Sequence, residues 1–103
     1  MKVKDFDWNH GNKEKIKKHG INSSEIEDFF LNFNPFIFTD QMHSDFEARF
    51  IAFGKHKRRN IFVVFTFRAL EGSLKIRVIS ARYAHAKEAE KFYEKKINKE
   101  KNY

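Results

Sequence analysis

Three runs decide the fold: Glu47-Ala48-Arg49-Phe50-Ile51-Ala52-Phe53-Gly54, Asn60-Ile61-Phe62-Val63-Val64-Phe65-Thr66-Phe67-Arg68, and Leu74-Lys75-Ile76-Arg77-Val78-Ile79-Ser80-Ala81-Arg82-Tyr83. Each carries a period of two, the signature of a strand. In the first, Glu47, Arg49, Ile51 and Phe53 alternate with Ala48, Phe50 and Ala52. In the second, both alternating sets are largely apolar, which predicts a central strand covered on both faces. Residues 55–59 and 70–73 are short enough to join the runs as antiparallel hairpins.

Upstream of this sheet, residues 36–38 predict a further short strand. Before them, Ile26, Phe29, Phe30 and Phe33 fall at i, i+3, i+4 and i+7, an amphipathic helix that ends ahead of Asn34-Pro35. Asn22 and Glu25 form its capping box. An earlier helix over residues 10–19 has Asn9 as N-cap, cations in its last turn and Gly20 after it. Residues 3–8 alternate as a short strand with Phe6 and Trp8 inward. A closing helix starts near His85, with Ala86, Ala89, Tyr93 and Ile97 on one stripe. The expected fold is therefore α+β: a curved antiparallel sheet with a helix pair near the N-terminus and a closing C-terminal helix. One domain spans residues 1–97, and the charged residues 98–103 form a frayed tail.

Composition supports this. The chain has 103 residues, 41% hydrophobic and 17% aromatic with thirteen Phe, which is enough for a core despite 34% charged residues. The absence of Cys removes disulfides, thiolate metal sites and Cys nucleophiles together. With no export signal or membrane-length apolar run, the expected setting is soluble and cytoplasmic. A net charge of +7 favours an acidic or polyanionic partner.

Few groups suit chemistry. The five His are scattered, and only His43 with Asp40 and Asp45 approaches a ligand cluster, so no metal is expected. No glycine loop cradles a phosphate and no Ser sits in a nucleophile elbow. The remaining candidates are arginines on or beside strands: Arg49, Arg68, Arg77 and Arg82. A guanidinium there either pairs with a carboxylate, such as Glu47, or faces a groove that receives an anion. Arg77 and Arg82 fall on opposite faces of a regular strand, so they share a site only if a bulge intervenes or Arg82 lies past the strand's end.

Four pieces in order resemble the BrnT family of bacterial toxins. They are Phe6-Asp7-Trp8-Asn9 with Lys18-His19-Gly20-Ile21; the capped helix with Glu25, Phe30 and Asn34-Pro35; His43-Ser44 with residues 47–54; and Phe65-Thr66-Phe67-Arg68 with residues 79–83, Lys87-Glu88 and Tyr93. Asn9 departs from the family, which often has Asp there. The resemblance implies a RelE-like fold and a toxin of a type II toxin–antitoxin pair. It also implies a metal-independent endoribonuclease without cofactor, neutralised by a BrnA-like antitoxin through which DNA is met only indirectly. RNA cleavage of this kind needs a base for the ribose 2′-OH, cations for the phosphate and an acid for the leaving oxygen. Arg68, Arg77 and Arg82 are then the expected phosphate stabilisers and Glu47 or His19 the base, histidine being the residue type that titrates nearest neutrality. Lys18, Arg49, Lys57, Arg58 and Arg59 are the expected phosphate contacts.

A second reading is a non-catalytic basic module that engages nucleic acid or a protein partner. A DNA-binding repressor lacks support, because the second helix is acidic at its start and Phe-rich. Tyr93 is expected to pack on the sheet and His85 to start the last helix. Phe36 and Phe38 are candidates for a surface reserved for the antitoxin.

Overall fold

The computed structural model describes residues 3–41 and 47–101, with side chains to Asn98. The order is α1 (His10–Lys17), α2 (Ser23–Asn32), β1 (Phe36–Thr39), β2 (Phe50–His56), β3 (Arg59–Leu70), β4 (Ser73–Tyr83) and α3 (Ala86–Lys101). The four strands form one antiparallel meander in the order β1-β2-β3-β4, as an open sheet. The α+β architecture read from periodicity therefore holds, and α3 continues four residues past residue 97. The metal candidate built on His43 and Asp45 lies outside the described residues.

Of the α3 stripe expected from sequence, Ala89 is buried whereas Ala86 and Ile97 are exposed, and the first strand expected from sequence does not form. Residues 3–8 are not a strand of the sheet; Phe6 makes only an isolated parallel bridge to Ile76. The Asp7 N–H donates to the Ile76 carbonyl and the Ile76 N–H to the Asp5 carbonyl, each at 2.8 Å. The segment turns away into the cap of α1 before a ladder can grow. Phe6 and Trp8 nonetheless pack on the core, and the Trp8 indole donates to Glu27 of α2 at 2.9 Å.

The helix pair packs on one face of the sheet. Ile16, Ile21, Ile26, Phe29 and Phe30 meet Ala52, Ile61, Val63, Phe65, Ile76, Val78 and Ala81, all buried. Phe30 packs edge-on against Phe65, with ring centres 5.1 Å apart. A ring this fully buried contributes roughly 1.5–3 kcal/mol. Both helices start at reciprocal capping boxes, Asn9 with Asn12 and Asn22 with Glu25. Phe33 caps the end of α2, half-exposed over the His56 ring.

α3 lies on the opposite face. Phe92 packs on Phe53, Phe62 and Phe38. Tyr93 packs edge-on to Phe53 and its hydroxyl donates to Asn60 at 3.0 Å, the sheet-packing role expected of it. Phe36 and Phe38 touch each other on this same face beside α3, each half-buried.

The feature that shapes the site is a bulge in β4. Val64 pairs with Ser80 but Phe65 pairs with Val78, leaving Ile79 as an extra residue. Core positions accordingly run Ile76, Val78, then Ala81, a step of two followed by a step of three. Arg77, Ser80 and Arg82 therefore share the face opposite the helix pair, which a regular strand would forbid.

Candidate active site

Arg68, Arg77 and Arg82 each have a carboxylate partner. Arg68 donates to Glu47 at 3.2 Å, and Arg77 Nη1 donates to Asp7 at 3.2 Å. Arg82 grips Glu88 with both terminal nitrogens, each at 2.6 Å, and its guanidinium lies over the Phe62 ring. These hydrogen bonds hold the Glu88 carboxyl below its ordinary range and raise Arg82, in both cases against the opposing effect of burial.

A pocket of about 440 Å3 opens at the outer edge of β4, beside the bulge. Asn9, Gly11, Asn12 and Lys15 of the α1 region form one wall, Arg77 to Ile79 the floor, and Glu47 and Arg49 the other wall. Local structure explains this convergence. The buried Asn12 amide donates to the carbonyls of Asp7 and Val78, both at 3.1 Å, which pins the start of α1 to the strand edge. On the far side, the Thr66 hydroxyl donates to the Ala48 carbonyl at 2.6 Å, and the Asp40 N–H to the Arg49 carbonyl at 2.8 Å. These two bonds hold residues 47–49 beside the sheet ahead of β2.

Thus Glu47, Arg49 and Arg77 come together, with Arg68 attached through Glu47. The other candidates lie elsewhere. Arg82 belongs to the β4–α3 contact. Lys18 and His19 sit exposed past the end of α1, a turn beyond Lys15, and line no part of this pocket. Lys57 and Arg58 form the two-residue turn of the β2–β3 hairpin, with Lys57 at φ 59°. Arg59 follows, its guanidinium stacked 3.4 Å over the Tyr83 ring. These three line a separate hollow of about 320 Å3 with Glu25, His56 and Tyr83. His85 accepts the Ala89 N–H through its carbonyl and so starts α3, as expected.

Sequence reading missed Asp7, Asn12 and Lys15. Asn12 had a signal, since it stands three residues after the N-cap Asn9, where an amide can complete a capping box. Asp7 and Lys15 had none, because their relation to Arg77 exists only once α1 meets β4.

A basic pocket edged by a carboxylate has the groups that attack on a phosphodiester requires. A family model described as the ribonuclease toxin, BrnT, of type II toxin–antitoxin systems matches residues 8–88. The chain belongs to the BrnT family. No curated protein matches it. The matched span runs from Trp8 through α1, α2 and the whole sheet to Glu88, so it includes every lining residue of the BrnT pocket. Membership brings an antitoxin partner and an RNA substrate as properties of the family. Among the described residues, no helix is long and apolar enough to cross a membrane.

Proposed function

We propose that this BrnT chain is an endoribonuclease that cleaves RNA in the pocket beside the β4 bulge, without a metal ion. The observation that carries the reading is the convergence of Arg77, Arg49 and Lys15 with Glu47 around one hollow of about 440 Å3. Glu47 accepts the proton of a ribose 2′-OH as its oxygen attacks the adjacent phosphorus. Arg77 and Arg49 stabilise the charge growing on the phosphate oxygens. The bond from phosphorus to the 5′ oxygen breaks, and Lys15 gives that oxygen a proton. The products are a 2′,3′-cyclic phosphate and a 5′-hydroxyl. Arg68 holds the Glu47 carboxylate, and Asp7 holds Arg77. Glu47 is preferred to His19 as base because it lines the pocket. The cellular role is growth arrest by RNA cleavage in the cytoplasm, relieved by a BrnA-like antitoxin.

The second reading, a basic module that binds without cleaving, is favoured by the carboxylates already paired with Arg68, Arg77 and Arg82. One experiment separates them. The purified protein is incubated with RNA in EDTA, with and without ribosomes, beside Arg77→Ala and Arg82→Ala checked for folding by thermal melt. EDTA-resistant cleavage, lost in folded Arg77→Ala and kept at saturating RNA in folded Arg82→Ala, is the expected result. Binding with intact RNA under every condition would favour the second reading.

A further inference from the structure

A second basic feature stands on the same face of the sheet as Arg77. Lys87, Lys91 and Lys95 follow one another at four-residue spacing along α3, all exposed. With His85, Glu88 and Phe92 they line a groove of about 410 Å3. At 1.5 Å per residue their stems are about 6 Å apart along the helix, a ladder of cations in step with an extended single strand. Among the described residues, Glu88 is the only carboxylate lining the groove, and Arg82 neutralises it with two hydrogen bonds. Glu90 and Glu94 of the same helix do not line it. The Phe92 ring is occupied by Phe53, Phe62 and Phe38, so the groove has an apolar floor without a slot for a stacked base.

Position argues for the occupant. The bulge puts Arg77, Ser80 and Arg82 on one face of β4, and Arg82 is tied to Glu88 inside the groove. The pocket at Arg77 and the lysine row therefore stand at the two ends of a single strand face. We infer that Lys87, Lys91 and Lys95 form a rail for the phosphodiester backbone of the single-stranded RNA that extends from the cleavage pocket. The inference rests on the reading that this pocket takes RNA. The rail contacts phosphates and not base edges, so it adds affinity without sequence preference.

The test is binding of a fully 2′-O-methyl RNA of about a dozen nucleotides, which cannot be cleaved by 2′-OH attack. Affinity is measured against salt for the wild type, for Lys87→Gln/Lys91→Gln/Lys95→Gln, and for the charge-matched Lys4→Gln/Lys13→Gln/Lys17→Gln. Three lost phosphate contacts reduce the slope of log affinity on log salt by about 2. Equivalently, the α3 variant loses roughly 20-fold of the salt sensitivity between about 50 and 200 mM. The charge-matched variant keeps the wild-type slope. Equal slopes for all three proteins, or equal losses in both variants, would overturn the rail; in the first case the row is left to an acidic protein partner. Cleavage is scored separately on ordinary RNA. A wild type that binds with the expected slope yet leaves that RNA intact would sink the nuclease reading and leave the rail standing.

Discussion

Arg77 is the residue on which the chemistry turns. It reaches the pocket from β4, is held by Asp7 from the segment before α1, and stands across from Glu47 and Arg49. Arg77→Ala is expected to lower RNA cleavage by about 10²–10³-fold, the usual effect of removing one donor to a developing oxyanion. Glu47→Gln should cost about 10²–10⁴-fold, as for loss of a general base. Single-turnover rates on one RNA would measure both. Arg82 behaves differently. Its bond to Glu88 holds that carboxyl below the ordinary value, so the folded state releases the Glu88 proton more readily than the unfolded state does. The resulting stability is present above the unfolded value of about 4.3 and is lost as pH falls from there through the lower folded value. Thermal melts of the wild type should therefore fall more steeply below about pH 4.3 than those of Glu88→Gln. Parallel curves would show that the pair contributes nothing. Sequence could place these arginines on strands and offer Glu47 as a carboxylate partner, which Arg68 takes, yet it could not assign Asp7, 70 positions from Arg77.

At the level of elements, the pocket depends on α1 being fixed to the edge of β4. Asn12 does this with a side chain that accepts the Asn9 N–H and donates to two carbonyls. Asn12→Ala leaves several polar groups without their partner and is expected to cost about 1–3 kcal/mol by urea unfolding. The exposed Asn98→Ala should stay within about 0.5 kcal/mol. Cleavage should fall further in Asn12→Ala than the unfolded fraction explains, because Lys15 and Arg77 lose their fixed separation. The bulge at Ile79 is equally structural. Without it, Ile76 and Val78 could not share a face with Ala81, so the helix-pair face of β4 could not close. In the sequence of β4, the parity of Arg77 and Arg82 raised a bulge only as one condition for a shared site, and its presence and position follow from which residues β3 buries. The N-terminal segment shows the opposite outcome: its alternation of Phe6 and Trp8 looked like a strand, while only one bridge forms before the cap of α1 begins.

In the whole molecule, aromatic rings tie two layers of helix to one sheet. Phe65 lies at the centre of the helix-pair side, touching Phe30, Phe50 and Phe67. Phe65→Ala is expected to cost about 3–5 kcal/mol, read as a lower urea midpoint with the same slope. The meander, the helix pair and the closing helix were legible because period two, period 3.6 and the capping residues agree along the chain. The candidate site was legible in part: Glu47, Arg49 and Arg77 meet, whereas Lys18, His19 and the hairpin cations at 57–59 lie at other places on the surface. Proximity across α1, β4 and residues 47–49 is a product of packing, and no spacing rule encodes it. On the proposed reading this pocket cleaves RNA by attack of the ribose 2′-OH. That reading is tested most directly with a DNA oligonucleotide carrying a single ribonucleotide, incubated with the purified protein in EDTA. One cut is expected, on the 3′ side of that ribose, leaving a 2′,3′-cyclic phosphate and a 5′-hydroxyl, with no cut by Arg77→Ala. Cleavage at deoxyribose positions, or products ending in a 5′-phosphate, would contradict it.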